Sequence, residues 1–369
     1  MTRRTVCVAA LMLVLASCAP DPAANASEPN ATAPGTPAAA TATRGLDPTL
    51  IAAAVAKAEA LPRLRSLLIL RDGTEEAAHR FHDGPALDRP VNIKSASKTV
   101  ISALVGMAID RDMLDGIDQP VAPLLKADLP ANPDPRLSRI TIGHLLSMQS
   151  GLQRTSGQYY GAWVTSPNWV RYALSRPFVE EPGGVMLYST GNSHLLSAIL
   201  TRTTGRGTDV LAREWLGAPL GIQIPSWARD PQGIAFGGND MLMSPRGLAR
   251  FGELYRNGGR VDGRQILSET WIADSWRPRG VSPWSGNGYG FGWFASEAAG
   301  HRVHFAWGYG GQMLYIVPSL NLTVVMTSDS APHPRAESHI SELHALLADY
   351  IVPAAQKGKG SINPKGGRA

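Results

Sequence analysis

The chain has 369 residues, of which 44% are hydrophobic and 18% charged, with a formal net charge of +5. That length and apolar content support a large core or two intimate domains. The mild charge and scattered basic residues argue against a nucleic-acid-binding stripe. The two cysteines, Cys7 and Cys18, both lie at the extreme N-terminus and leave no thiol for the rest of the chain.

Residues 1–18 read as a signal segment, with Arg3 and Arg4 preceding an apolar run from Val6 to Leu15. The run is too short for a spanning helix. Leu15-Ala16-Ser17-Cys18 resembles a bacterial lipobox, in which the Cys is lipidated and becomes the mature N-terminus. The expectation is a chain anchored to a membrane through acylated Cys18, in the cell envelope and facing the periplasm, without crossing the bilayer. Residues 19–44 are rich in Ala, Pro, Thr and Asn and hold no aliphatic side chain larger than Ala. Such a segment cannot bury a core and reads as a disordered tether. Residues 45–355 are expected to fold as one domain, and 356–369 to form a disordered tail.

Asp47-Pro48 is an N-cap followed by proline at the first helical position, and the pattern predicts a helix over 50–61. Arg65 to Arg71 reads as a strand, Asp72-Gly73 as a hairpin turn, and Ala77 to Phe81 as the returning strand. From Ser95 a helix follows that is apolar nearly all round, through Val100, Ile101, Leu104, Val105 and Ile109, so it is expected to be buried. Residues 110–243 read as helices joined by long Pro- and Gly-rich loops. Within them, 141–148 is a short helix with Gly151 as its left-handed stop, and Asn192 caps a helix ending at Gly205. Ser244-Pro245 opens another helix that ends at Gly258. Strands return over 289–294, 302–307, 312–317 and 321–327, with Pro318-Ser319 as a turn, and a final amphipathic helix runs from about Glu337 to Tyr350. Strands at both ends and helices between them predict an α/β (α+β) fold: an antiparallel sheet built from both termini, flanked by helices, with a helical insertion.

Ser95 and Lys98 are three residues apart, which puts both side chains on one helix face. A serine hydroxyl is a poor nucleophile until a base takes its proton. A lysine serves as that base only when burial lowers its pKa, and an apolar helix provides burial.

Ser95-Ala-Ser-Lys98, Thr141-Ile-Gly-His-Leu-Leu-Ser-Met-Gln-Ser-Gly-Leu152 and Pro182-Gly-Gly-Val-Met-Leu-Tyr188-Ser-Thr-Gly-Asn192 together resemble the serine β-lactamase superfamily. With Met243-Ser-Pro-Arg-Gly-Leu-Ala-Arg-Phe-Gly252 and Gly308-Tyr-Gly-Gly-Gln312, the match covers about residues 47–352 in family order. The branch it resembles is that of class C-like hydrolases: esterases, D-amino-acid peptidases and nylon-oligomer hydrolases. The resemblance implies Ser95 as acylated nucleophile, Lys98 as its base and Tyr188 as the group that passes a proton to the leaving group. It implies an oxyanion hole from the backbone amides of Ser95 and Tyr309, with Trp307, Gly308 and Gly310 at the substrate. The expected activity is cleavage of a small-molecule ester or amide through an acyl-serine intermediate, without cofactor or metal. β-Lactam or D,D-peptide hydrolysis is the alternative, and a non-catalytic module that senses peptidoglycan fragments or antibiotics is the rival of another class.

Two departures stand out. Thr190 occupies the place of the Asn in the family's Tyr-x-Asn, and Ala306-Trp307-Gly308 stands where β-lactamases carry Lys-Thr-Gly. Arg154 or His304 could supply the missing cation if the fold brings either to the cleft. His301 and His304 read as surface or cleft-rim residues with no third ligand at useful spacing, and no G-x-S-x-G elbow is present. One outcome tests the N-terminal reading directly. Cys18→Ala is expected to shift the protein from the membrane to the soluble fraction, and intact mass of the wild type should show the added acyl chains.

Overall fold

In the computed structural model, residues 45–332 and 336–358 are described. The expected signal segment, Cys18 and the expected tether lie outside the described residues. Helix α1, Pro48–Glu59, starts where Asp47 accepts hydrogen bonds from the Thr49 and Leu50 amides. Strands β1, Leu64–Arg71, and β2, Thr74–Arg80, are joined by a two-residue turn in which Asp72 and Gly73 both have positive φ. Helix α2, Ser97–Ile109, is buried along its length from Ser97 to Ala108. The stretch from 110 to 240 adds helices and loops and no strand to the main sheet, and includes α3, Ile142–Leu146, and α4, Thr190–Thr204. After α5, Pro245–Arg256, and α6, Glu269–Trp276, six strands follow. They are β3, Gly280–Val281; β4, Gly288–Tyr289; β5, Phe294–Ala298; β6, His301–Gly308; β7, Gln312–Val317; and β8, Leu322–Ser328. Helix α7, Ala336–Leu346, closes the sequence of elements and continues through further helical turns to Lys357.

All eight strands form one antiparallel sheet in the order β2-β1-β8-β7-β6-β5-β4-β3. The first two strands of the chain thus lie beside the last, and the sheet joins both ends of the domain, as the pattern predicted. Its central strands are apolar on both faces because both are covered. Leu68, Leu314, Ile316 and Val325 face a core shared with α2 and α5, whereas Leu67, Ile69, Met313 and Val324 face one shared with α1 and α7. A second small ribbon pairs Val91–Asn92 with Leu242–Met243, and the Ile93 amide donates to Met241 O. It ties the approach to Ser95 to the segment after Gly238.

Several expectations are corrected. Asn192 does not cap α4: Ser189 holds that position, and Asn192 is buried in the third helical place, accepting from Ser150 Oγ at 3.1 Å. The helix starts earlier because the 153–156 loop, not an Asn side chain, satisfies its first amides. Ser156 Oγ accepts from Thr190 N and Thr155 Oγ1 from Gly191 N. Gly151 is left-handed as expected, with φ 78°, but it does not stop helix α3, which ends at Leu146 with Met148, φ 62°, as the first left-handed residue beyond it. The expected strand over 289–294 is broken into β4 and β5, since Gly292 turns the chain with φ 81°. The final helix does not stop at Tyr350, so residues 356 and 357 are helical rather than part of a disordered tail.

Candidate active site

The chain enters the site through a short turn, Lys94–Ala96, that precedes α2. Lys94 has φ 51°, a strained value for a non-glycine residue. It is held there by Asn92, whose side chain accepts from the Lys94 amide and donates to Asp240, and by the Lys94–Asp240 ion pair at 3.4 Å. This turn presents Ser95, half-buried, at the head of the buried helix.

Lys98 is buried one turn further on. Its Nζ lies 3.2 Å from Ser95 Oγ, 3.3 Å from Thr190 Oγ1 and 2.6 Å from the Gly238 carbonyl. It also sits 4.9 Å from the centre of the Tyr188 ring. No carboxylate pairs with it among the described residues, and burial lowers its pKa from 10.5 to about 7. Tyr188 shifts the other way. Burial pushes its phenol up to about 12, only partly opposed by a hydrogen bond with Ser95. Ser95, Lys98 and Tyr188, chosen from the sequence, are therefore in mutual contact.

Two further partners of Lys98 were not foreseen. Thr190, noted only as a departure from a motif, bonds both to Lys98 and to Ser156 Oγ at 3.0 Å. Gly238 contributes a carbonyl, which no side-chain motif announces. A Cβ at Gly238 would come within 2.2 Å of Ser193 Oγ and 2.8 Å of Lys98 Cγ, so only glycine fits this approach. The Gly237-Gly238 doublet was the one available signal.

Strand β6 ends against the Ser95 turn. A Cβ at Gly308 would meet the Ile93 carbonyl at 2.2 Å. The ladder with β5 stops at Phe305, leaving the Trp307 and Gly308 side of the strand without a ladder partner. The chain then turns tightly through Tyr309 and Gly310, with Gly310 at φ 80° and a Gly311 amide to Gly308 carbonyl bond of 3.2 Å. Tyr309 is 53% exposed. Trp307, Tyr309 and Gly310 line a cavity of about 810 Å³ with Trp284, His344 and Ala345. Its remaining lining comes largely from α7 and the turns after it, and Ser95, Lys98 and Tyr188 do not line it. The link to the Ser95 group is Trp284, which packs edge-on to Tyr188 with ring centres 5.3 Å apart.

Of the described residues, the charged ones that line the cavity are Glu297 and Asp349, and no Lys or Arg is among them. Ala306 is fully buried against the helical core, so the β6 side chain that reaches the cavity is Trp307, not the residue aligned with the family lysine. His304, expected at the surface or cleft rim, is instead buried. It stacks on Trp276 at 4.3 Å, and desolvation takes its pKa to about 4. Neither that face nor that charge state supplies a cation. His301 is half-buried and bonds to Ser319 and Gln356. Arg154 is exposed, beside Gly157.

A family model described as beta-lactamase matches residues 66–348, and the chain belongs to that family. An uncharacterized protein of Alkalihalophilus pseudofirmus is 21% identical over 276 residues, covering 69% of this chain and 78% of the relative. Among solved structures, the octameric penicillin-binding protein homologue from Pyrococcus abyssi superposes with a TM-score of 0.63 at 20% identity. That match covers 84% of this chain and 78% of the other. EstCE1, a hydrolase with promiscuous acyltransferase activity, gives 0.63 at 18% identity over 80% and 97% of the two chains. At such identities the likenesses establish the fold.

Burying Lys98 has a thermodynamic consequence. Its pKa is lower folded than unfolded, so between about pH 7 and 10.5 the unfolded chain binds the extra proton. The destabilisation is fully present below about pH 7 and fades as pH rises through that window. Lys98→Met is expected to raise the free energy of unfolding by about 3–5 kcal/mol at pH 6. The gain should shrink toward pH 10, as read from denaturant midpoints at the two values.

Proposed function

We propose that the protein is a serine hydrolase that cleaves esters or amides through an acyl-serine intermediate. The observation that carries this reading is the buried Lys98 amine, 3.2 Å from Ser95 Oγ and brought to a pKa of about 7 without a carboxylate partner. An amine of that pKa is substantially neutral at neutral pH and has a lone pair for the serine proton.

In the proposed sequence, Lys98 takes the Ser95 proton as Oγ attacks the substrate carbonyl carbon. The resulting oxyanion is held by the Ser95 and Tyr309 amides, beside the glycine-lined end of β6. The carbon–heteroatom bond then breaks, and Tyr188 gives its proton to the departing oxygen or nitrogen while Lys98 restores the phenol. Water attacks the acyl-serine by the same proton path in reverse and releases the acid. Tyr188 suits a relay rather than a permanent anion, because its phenol is held near 12. Thr190, in contact with Lys98, stands in for the family's Asn. Fold neighbours include a protein described as a hydrolase, and this supports the reaction class without naming a substrate. For the anchor, we propose attachment through Cys18 at the periplasmic side of the envelope, resting on the lipobox alone.

Lys98→Arg should keep the charge and lose the base. Loss of kcat by about 10²–10⁴-fold with an unchanged circular dichroism spectrum is the expected result. Activity within about tenfold of wild type would show that another group activates Ser95.

The substrate is expected to be an uncharged ester or amide in preference to a β-lactam. A β-lactam carboxylate calls for a cation, and β6 presents Trp307 to the cavity. A carboxylate desolvated against that ring is penalised, whereas a neutral ester gains apolar contact. Nitrocefin and p-nitrophenyl butyrate, assayed on one preparation, should show the higher kcat/KM for the ester. More efficient nitrocefin turnover that disappears in Ser95→Ala would make the protein a β-lactamase.

A further inference from the structure

His194 and Asp230 form an ion-pair geometry wholly inside the helical layer, 3.0 Å apart with both side chains at 0% exposure. Nothing in the proposed reaction uses them, and a buried carboxylate is costly unless its oxygens are satisfied. Here both are. Asp230 Oδ2 faces His194 Nε2, and Oδ1 accepts from the Gln232 and Ile234 amides at 2.8 Å each. His194 Nδ1 accepts from the Gly237 amide at 3.3 Å, which places the ring proton on Nε2, directed at Asp230. The ring is walled by Trp163, Trp169 and Phe236, with no room for a ligand.

The pair belongs to a larger device. One polar face of α4 binds the 230–238 loop at three points: Ser197 Oγ donates to Ala235 O at 2.6 Å, His194 takes the Gly237 amide, and Ser193 Oγ shares its proton between Gly237 O at 3.0 Å and Thr190 O at 2.9 Å. The next carbonyl, that of Gly238, is the one 2.6 Å from Lys98 Nζ. Gly238 also packs on the Lys98 stem.

We propose that His194 and Asp230 are positioning residues that hold this loop so that the Gly238 carbonyl caps Lys98 Nζ and keeps water from the amine. The proposal rests on Lys98 as the base of the reaction. The loop is thereby what sustains the desolvation responsible for the low Lys98 pKa. The groups facing Lys98 are Ser95, Tyr188, Thr190 and Gly238, of which Tyr188 alone titrates. Arg202 senses the charge of Asp230, and Asp240, past the loop, pairs with Lys94.

Asp230→Asn is nearly isosteric but can turn an amide toward Nε2. That favours the other His194 tautomer and sets two N–H groups against each other at Gly237. Ser193→Ala, which removes one hydroxyl, is the milder variant. The chain has seven lysines, so the Lys98 Cε resonance in ¹³C-lysine-labelled protein can be assigned by its absence in Lys98→Arg and titrated without any assay of turnover. In Asp230→Asn the Lys98 titration should rise by about one unit or more, and the acid limb of kcat/KM should rise with it. A one-unit rise from about 7 lowers the neutral fraction at pH 7 about fivefold, and activity should return to near wild type above about pH 9. Ser193→Ala should move both in the same direction by less, and it decides the matter alone if Asp230→Asn does not fold. A Lys98 titration unmoved in folded variants, or activity lost equally at every pH, would overturn the proposal. If Lys98→Arg proves active, the base assignment fails, and the lysine titration still judges the link between loop and amine.

Discussion

An amine kept out of water beside a serine hydroxyl is the constraint on which the rest of this arrangement depends. Desolvation works against the charged form of Lys98, and no carboxylate among the described residues restores it. The amine nonetheless needs hydrogen-bond partners, because an orphaned polar group in a core is expensive. The fold meets both demands with neutral oxygens: a carbonyl from Gly238 and hydroxyls from Thr190 and Ser95. A carboxylate in any of those places would hold the proton on the lysine and deny the proposed reaction its base.

The sheet serves the same end from the other side. Strand β6 must come close enough to the Ser95 turn that a methyl group at Gly308 would strike the Ile93 carbonyl. Its ladder with β5 ends at Phe305, so the backbone beyond is available just where it meets that turn. Alternation along the strand sends Ala306 into the helical core and Trp307 to the cavity. The lack of a cation where this strand meets the cavity is thus a property of Trp307 rather than of Ala306, a distinction that depends on which face each residue takes.

Features written in adjacent residues were legible in the sequence. Asp47-Pro48, Asp72-Gly73 and Ser244-Pro245 start or turn their elements as expected, since the relevant hydrogen bonds and φ angles are local. Ser95 and Lys98 were readable because helical spacing alone brings them together, and Tyr188 because its loop matched a family pattern. What was missed is tertiary. Asn192 looked like a cap, yet a loop 34 to 36 residues away supplies the first amides of that helix with acceptors. The Gly238 carbonyl reaches Lys98 across 140 residues and carries no side-chain signature. His304 looked exposed from its neighbours and is buried because Trp276, on another element, covers it.

The two titrating groups beside Ser95 show why a site without a formal ion pair can still separate acid from base. Burial disfavours whichever form is charged. For an amine that form is the protonated one, and Lys98 falls to about 7; for a phenol it is the deprotonated one, and Tyr188 rises to about 12. One physical cause therefore yields a proton acceptor and a proton donor within contact of each other, which is the separation a base and a leaving-group acid require. With Lys98 neutral, the Ser95 group as a whole carries no net charge. A permanent cation at β6 would raise the cost of protonating Lys98 and draw the Tyr188 phenol toward its anion. By presenting Trp307 instead, the strand leaves both pKa values under the control of burial.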